Sequence, residues 1–123
     1  MTYTLPHVTD DRIITLEGEI GPGEVIALQR RIVRALDLGR GRIVVDLDAV
    51  TGVVAPTTGL LCAALRFVSR CGATLAIAGG PPGVQRGIEV CEIDGVELCP
   101  TVNAALTDID HYRRRSARSD GPG

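Results

Sequence analysis

Aromatic residues are almost absent from this sequence, which has two tyrosines, one phenylalanine and no tryptophan. Proteins that bind single-stranded nucleic acid stack bases on aromatic side chains, so a surface of that kind is excluded. The net charge of -2 at pH 7 provides no overall attraction to nucleic acid or to an anionic membrane. The one basic cluster, Arg113 to Arg115 with Arg118, is interpreted as part of a solvated tail.

Long apolar runs are missing as well. The longest apolar stretch, residues 59–65, ends at Arg66 and is far shorter than the roughly 20 residues that span a bilayer. The N-terminus lacks the basic segment followed by an apolar segment that marks a secretory leader. We therefore predict a cytoplasmic protein with no membrane partner and no direct nucleic-acid partner.

The four cysteines include no C-x-x-C pair, so their spacing does not indicate a zinc site. We predict thiols, with Cys62, Cys91 and Cys99 serving as small buried hydrophobic side chains. Cys71 precedes a glycine at a predicted helix end, where it is expected to be exposed, and it is the candidate redox residue in a switch with another cysteine. No metal ion and no cofactor are predicted.

No set of side chains typical of a catalytic site is present, so we predict that the protein is not an enzyme. His7 and His111 lie near opposite ends of the chain, and neither accompanies a nucleophile. Asp46 and Asp48 are predicted to lie at the end of a strand, where a catalytic carboxylate pair is possible. The favoured interpretation is that they are turn and capping residues. Residues 79–83 (Gly-Gly-Pro-Pro-Gly) lack the spacing of a phosphate-binding loop and are interpreted as a turn.

Apolar periodicity predicts one α/β domain. Strands at residues 2–5 and 12–18 suggest an opening antiparallel hairpin, and the apolar run at 42–47 is typical of a strand covered on both faces. The order β-β-α-β-α-β-α-β-α implies a mixed, mostly parallel sheet with about four helices. The helix at 57–71 is expected to bury a broad stripe that includes Leu60. Three further helices are predicted, from Pro22 to before Gly39, from the 79–83 turn to about Cys91 and from Val102 to about Tyr112. Further strands are predicted at 74–78 and 96–99. The domain is predicted to cover residues 1–115, followed by a disordered tail at 116–123.

Four segments match those of a known domain family in order and spacing. Residues 16–20 (Leu-Glu-Gly-Glu-Ile) resemble a family strand that ends in Gly-Glu-Leu, and residues 43–47 (Ile-Val-Val-Asp-Leu) resemble its central strand. Residues 71–79 are similar to a step in which glycine precedes a strand, and residues 93–102, followed by Ala104 to Leu106, resemble the closing strand. Over residues 2–110 the chain thus resembles the STAS domain of anti-sigma factor antagonists.

The resemblance implies a partner and a control point. In this family a serine or threonine at the start of the second helix, in an Asp-Ser-Ser-Gly motif, is phosphorylated by the anti-sigma factor, a serine/threonine kinase-type regulator. The matching positions imply that Thr58 is the phosphoacceptor, with Thr57 as the alternative. The unphosphorylated form is expected to bind the anti-sigma factor and release a sigma factor. The implied partner-binding residues are Gly21, Pro22, Pro56, Thr57, Thr58 and Gly59.

This chain departs from the family at its acidic positions. Pro56 replaces the aspartate of the motif, Gly21 stands where a second family aspartate falls, and two residues are inserted between 49 and 55. One of the two threonines is also a natural N-cap, a role that contributes about 1 kcal/mol and is compatible with phosphorylation. The alternative to a phosphorylated module is therefore a STAS scaffold or sensor controlled by a small ligand or by cysteine oxidation.

Overall fold

The computed structural model describes residues 12–40 and 42–107, in which strands and helices alternate. The strands are β1 (Ile13–Ile20), β2 (Arg42–Val53), β3 (Thr74–Ala78) and β4 (Val96–Cys99). The helices are α1 (Pro22–Asp37), α2 (Thr57–Arg70) and α3 (Pro82–Val90), and residues 102–107 are also helical.

The four described strands form one sheet in which all pairs are parallel. Their order is β1-β2-β3-β4, so each strand lies beside the next strand in the chain. Each connection contains a helix, and α1, α2 and α3 all contribute to the same core cluster on one face, as repeated right-handed crossovers require. The predicted antiparallel hairpin is not borne out within residues 12–40 and 42–107, and its first strand at 2–5 lies outside the described residues.

The sheet is buried on both faces, in two separate clusters. Ile43 and Val45 of β2 pack with α1, α2 and α3, whereas Val44 between them belongs to a smaller cluster on the second face. All three residues are at most 1% exposed, which confirms a strand covered on both sides. Ala105, from the helical segment 102–107, is fully buried in the second cluster.

β2 is longer than predicted, because it continues past Leu47 to Val53. Its pairing with β1 shifts at two places, so residues 44–53 of β2 face only residues 13–20 of β1. Each bulge of this kind reverses the face to which the following side chains point. Leu47 and Val50 therefore lie in the same cluster although they are three positions apart, a spacing that would place them on opposite faces of a regular strand. The bulges interrupt the alternation of apolar and polar residues that would otherwise indicate a strand in the sequence.

The helices bury the predicted stripes, with one exception. Leu60 is 41% exposed, whereas Leu61 is only 5% exposed, because Leu60 lies at the edge of the stripe and turns away from the sheet. The buried residues are Val25, Leu28, Ile32 and Ala35 in α1 and Thr57, Leu61, Cys62, Ala64, Leu65 and Val68 in α2.

Several predictions concern residues outside the described part of the chain. These are His7, His111, the basic cluster at 113–118, the end of the C-terminal helix, the domain boundary at 115 and the tail at 116–123. Among residues 12–40 and 42–107, no helix is both long enough and apolar enough to cross a membrane.

Candidate functional site

α2 begins at Thr57, after a turn at Ala55 and Pro56 whose connecting peptide bond is cis. Pro56 occupies the N-cap position, and no side chain makes a capping hydrogen bond there. The prediction that a threonine caps this helix is therefore wrong. With proline as the cap, Thr57 and Thr58 both lie within the first helical turn, past the position from which a hydroxyl reaches the free N–H groups.

The two threonines occupy opposite environments. Thr57 is 2% exposed, and within the described residues its Oγ1 has no hydrogen-bond partner. Thr58, the next residue, is exposed. A second protein can therefore reach Thr58 in the folded domain, whereas Thr57 is covered.

The start of α1 lies next to the start of α2, and backbone hydrogen bonds connect the two. Val54 donates its N–H to the carbonyl of Ile20 at 2.8 Å, and Thr57 donates its N–H to the carbonyl of Val54 at 2.6 Å. Gly21 is buried and is the N-cap of α1. A Cβ on Gly21 would lie 3.9 Å from Cγ2 of Val54, which shows how closely the two helix starts approach each other.

Glu24 completes the start of α1. The backbone N–H of Gly21 donates to Oε1 of Glu24 at 2.8 Å, so this carboxylate caps a helix whose N-cap residue has no side chain. A Cβ on Gly21 would lie 3.3 Å from the same oxygen. This role of Glu24 is not among the sequence-based predictions, although a glutamate three residues after a helix-starting position is the usual signal for it.

Exposed residues cluster at the two helix starts. Val54 and Leu60 are 38% and 41% exposed, and they offer apolar area that another protein can bury. Gly21 and Thr57, two of the six predicted partner-binding residues, are buried. The other four are exposed, and together with Val54 and Leu60 they define the helix-start surface: Pro22, Pro56, Thr58 and Gly59.

The family model described as Mlab, STAS domain matches residues 4–101, which is most of the chain. The chain belongs to the STAS domain family. No curated protein matches the sequence of this STAS domain.

Solved structures share the fold of this STAS domain. The anti-sigma factor antagonist SpoIIAA in its unphosphorylated form is 17% identical, with a TM-score of 0.58 over 82% of this chain and 87% of that chain. The Bacillus cell fate determinant SpoIIAA in its phosphorylated form is 15% identical, with a TM-score of 0.58 over 79% and 88%. A Thermotoga maritima protein described as an anti-sigma factor antagonist is 18% identical, with a TM-score of 0.60 over 82% and 90%. These likenesses confirm the predicted STAS fold.

Asp46 and Asp48 of the STAS domain lie within β2 and not at its end, contrary to the prediction. The backbone N–H of Asp48 donates to Oδ1 of Asp46 at 2.9 Å, so one carboxylate binds its own strand. Asp48 lies beside Gly79, where a Cβ would be only 2.8 Å from its Cγ. Both contacts support the interpretation of these residues as structural.

The turn at residues 79–83 leads into α3, which begins at Pro82. Nε2 of Gln85 donates to the carbonyl of Gly79 at 2.6 Å and to the carbonyl of Cys99 at 3.3 Å, so the STAS domain itself holds this turn. Within residues 12–40 and 42–107, no group of three or more His, Cys, Asp or Glu residues is placed to hold a metal ion.

The cysteines are arranged differently from the prediction. Cys71 is exposed at the C-cap of α2, as expected, and its candidate redox role stays a prediction. Cys62 is buried and Cys91 is half-buried, and their Sγ atoms lie 2.6 Å apart. The sequence predicts two separate hydrophobic residues, because nothing in the linear spacing of Cys62 and Cys91 indicates that α2 and α3 bring them together.

Proposed function

We propose that this STAS domain is an anti-sigma factor antagonist, a regulatory binding module that docks a kinase-type anti-sigma factor through the helix-start surface and thereby releases a sigma factor. One observation carries the proposal: Thr58 is exposed in the first turn of α2, whereas Thr57 is buried. The fold shared with SpoIIAA in its unphosphorylated and phosphorylated forms supports the general role. Thr58 is the proposed phosphoacceptor.

A phosphate on Thr58 is compatible with the folded domain. It would carry about -1.5 to -2 charges at pH 7. At the positive end of the α2 dipole, that charge gains roughly 0.3–1 kcal/mol. The first turn of α2 has no acidic residue that would repel it. Phosphorylation therefore leaves the domain folded.

The same phosphate opposes docking. Burying a dianion in an interface removes its hydration at an effective cost of several kcal/mol unless the partner pairs it. Each ~1.4 kcal/mol weakens binding tenfold, so this cost releases the partner. The proposed switch therefore acts on binding and not on folding.

The helix-start surface is less acidic than the family pattern implies. Pro56 and Gly21 occupy the two aspartate positions, and the carboxylate of Glu24 is engaged by the N–H of Gly21. Docking therefore depends on the apolar side chains Val54 and Leu60 and on shape more than on charge. We expect the affinity for the anti-sigma factor to depend only weakly on ionic strength.

A phosphorylation assay followed by a binding assay tests the proposal. The purified domain is incubated with ATP and each kinase-type anti-sigma factor from the same genome, and mass spectrometry locates the phosphate. We expect phosphate on Thr58 of the parent and none on Thr58→Ala. Thr58→Glu is expected to bind at least about tenfold more weakly than the parent.

Thr107→Glu is the matched control for Thr58→Glu. It makes the same change at another exposed threonine, in the helical segment that packs on the second face of the sheet. We expect this variant to bind as the parent does. Equal binding by the parent, Thr58→Ala and Thr58→Glu would refute the switch, and failure of the parent to bind any of these anti-sigma factors would refute the antagonist role.

A STAS scaffold that is never phosphorylated is the second candidate function. Pro56 and Gly21 in place of acidic residues favour it, and a cleft of about 330 Å³ between α3 and β4 offers space for a small ligand. Phosphopeptide analysis of the protein from its own cells separates the candidates, because only the first function produces phosphothreonine at position 58.

A further inference from the structure

Two thiols meet where α2 packs against α3. Cys62 lies in the second turn of α2, and Cys91 is the C-cap residue of α3. Their Sγ atoms are 2.6 Å apart, and both face the carbonyl oxygen of Gly87, at 3.8 Å from Cys62 and 3.4 Å from Cys91. Cys62 is 3% exposed, whereas Cys91 is partly open to solvent. One thiol of the pair is therefore accessible and the other is covered.

The thiol contact belongs to a regular seam between the two helices. Thr58 faces Gly87, and Cys62, one turn further along α2, faces Cys91, one turn further along α3. Beyond these contacts, Nη2 of Arg66 donates to the carbonyl of Cys91 at 2.9 Å. The candidate phosphoacceptor and the thiol pair thus occupy consecutive turns of one seam.

We propose that Cys62 and Cys91 form a reversible disulfide when the protein meets a peroxide, and that this bond fastens α2 to α3 beside Thr58. The two sulfur atoms are already in contact, so the bond needs little movement of the backbone. Cys71 cannot replace Cys91 as the partner of Cys62, because nine residues of helix separate their Cα atoms by about 13 Å. Cys99 belongs to the cluster on the second face of the sheet.

The exposure of the two thiols sets the order of the steps. The thiolate of Cys91 attacks one oxygen of the peroxide and becomes a sulfenic acid, while the O–O bond breaks and, for hydrogen peroxide, water leaves. The sulfur of Cys62 then attacks Sγ of Cys91, loses its proton and expels the sulfenic oxygen as a second water. Two thiols are oxidised by two electrons and one peroxide is reduced, and a dithiol reverses the change.

The environment of Cys62 assigns it the second step. Burial, followed by the hydrogen bond and the charge of Cys91, raises the pKa of the Cys62 thiol from 9.0 to about 11, while the Arg66 guanidinium acts in the opposite direction. Cys62 is therefore a neutral thiol at pH 7 and a poor first nucleophile. The contact between Cys62 and the sulfenic acid of Cys91 compensates for this weak nucleophilicity, because the attacking and the attacked sulfur atoms are already adjacent.

Peroxide treatment followed by thiol counting tests the pair. Cys71→Ser serves as the background, because Cys71 is an exposed thiol with which separate molecules can form disulfides in this assay. We expect this variant to lose two of its three remaining thiols and about 2 Da. Adding Cys99→Ala is the matched control and should leave the bond intact, whereas adding Cys91→Ser should abolish it. Circular dichroism confirms that each variant is folded.

Peptide mapping identifies the bond. Cleavage after arginine and glutamate places Cys62 in the peptide 43–66, Cys91 in 90–92 and Cys99 in a separate peptide. We expect the peptides 43–66 and 90–92 to be joined before reduction and separate afterwards. A bond that involves Cys99, or three intact thiols at a peroxide concentration that oxidises glutathione, would overturn the proposal.

The effect of the disulfide on Thr58 rests on the proposed function and is tested separately. Thr58 is exposed, but its methyl lies against Gly87 of α3. A disulfide that fastens α3 beside it limits how closely a kinase can fit around the Thr58 hydroxyl, so we expect the oxidised domain to be phosphorylated about tenfold more slowly than the reduced domain. A disulfide without any phosphorylation contradicts the proposed function and leaves the cysteine pair standing. Equal phosphorylation rates for the oxidised and reduced domains contradict the coupling to Thr58 alone.

Discussion

Gly87 of α3 lies against Thr58 of α2 so closely that a side chain at Gly87 would displace the threonine. A Cβ on Gly87 would be 3.1 Å from Cγ2 of Thr58, a few tenths of an ångström closer than ordinary contact. The missing side chain lets α3 approach the first turn of α2. We therefore expect the residue at position 87 and Thr58 to be energetically coupled.

A double-mutant cycle measures this coupling. Alanine stabilises a helix by about 1 kcal/mol relative to glycine, but in the parent the contact with Thr58 offsets the gain from Gly87→Ala. In the Thr58→Ser background, which lacks Cγ2, we expect Gly87→Ala to raise the free energy of unfolding by up to about 1 kcal/mol. Urea unfolding of the four proteins checks it, and an equal effect of Gly87→Ala in both backgrounds would show that the two residues do not interact.

Replacing the buried hydroxyl of Thr57 should not destabilise the domain. Thr57 Oγ1 is buried with no partner among residues 12–40 and 42–107, and valine has the same shape without the polar group. We expect Thr57→Val to raise the free energy of unfolding by up to about 1 kcal/mol, and Thr57→Asp to lower it by several kcal/mol. Thr58→Val, at the exposed neighbour, is the control and should change it by less than about 0.5 kcal/mol. A loss above about 1 kcal/mol for Thr57→Val would reveal a hydrogen bond that the hydroxyl makes.

Gly79 should tolerate no side chain. Its φ of +72° is costly for other residues, and a Cβ there would overlap the Asp48 carboxylate. We expect Gly79→Ala to lower the free energy of unfolding by about 2 kcal/mol or more, and a second change, Asp48→Ala, to restore only the part due to the overlap. Denaturant titrations of the single and double variants check this. No recovery in the double variant would mean that the cost lies in the backbone alone.

The Cys62 thiol should make the domain less stable in alkali. The pKa of this thiol is about 11 in the folded state, raised from 9.0 by burial and by Cys91 and lowered in part by Arg66. Between pH 9 and pH 11 the Cys62 thiol loses its proton in the unfolded chain but keeps it in the folded domain. The contribution of Cys62 to the free energy of unfolding is therefore fully present below pH 9 and is lost as the pH rises to 11. Under reducing conditions, we expect the free energy of unfolding to fall between about pH 8 and pH 10.5 by about 2 kcal/mol more in the parent than in Cys62→Ala. Urea unfolding at both pH values measures it, and parallel losses in the two proteins would contradict the assignment to Cys62.

The fold was largely predictable because its signals are local. Two local patterns illustrate this: the apolar run at 42–47 indicates a strand, and the helical spacing of Val25, Leu28 and Ile32 indicates a helix. Neither pattern depends on tertiary contacts. The errors fell where local signals compete with tertiary ones. The bulges beyond Leu47 disrupt the apolar pattern of the rest of β2, and Pro56 occupies the N-cap position that the sequence predicts for a threonine.

The amino-acid order alone determined the alternation of strands and helices, the membership of the STAS family and the place of two adjacent threonines at the start of a helix. Only the tertiary structure decided that Thr57 is covered while Thr58 is exposed, and that Cys62 meets Cys91 across 29 residues of chain. The physical reason is that periodicity fixes which face of a helix is apolar. The side chains that this face meets depend on how neighbouring helices pack on the sheet.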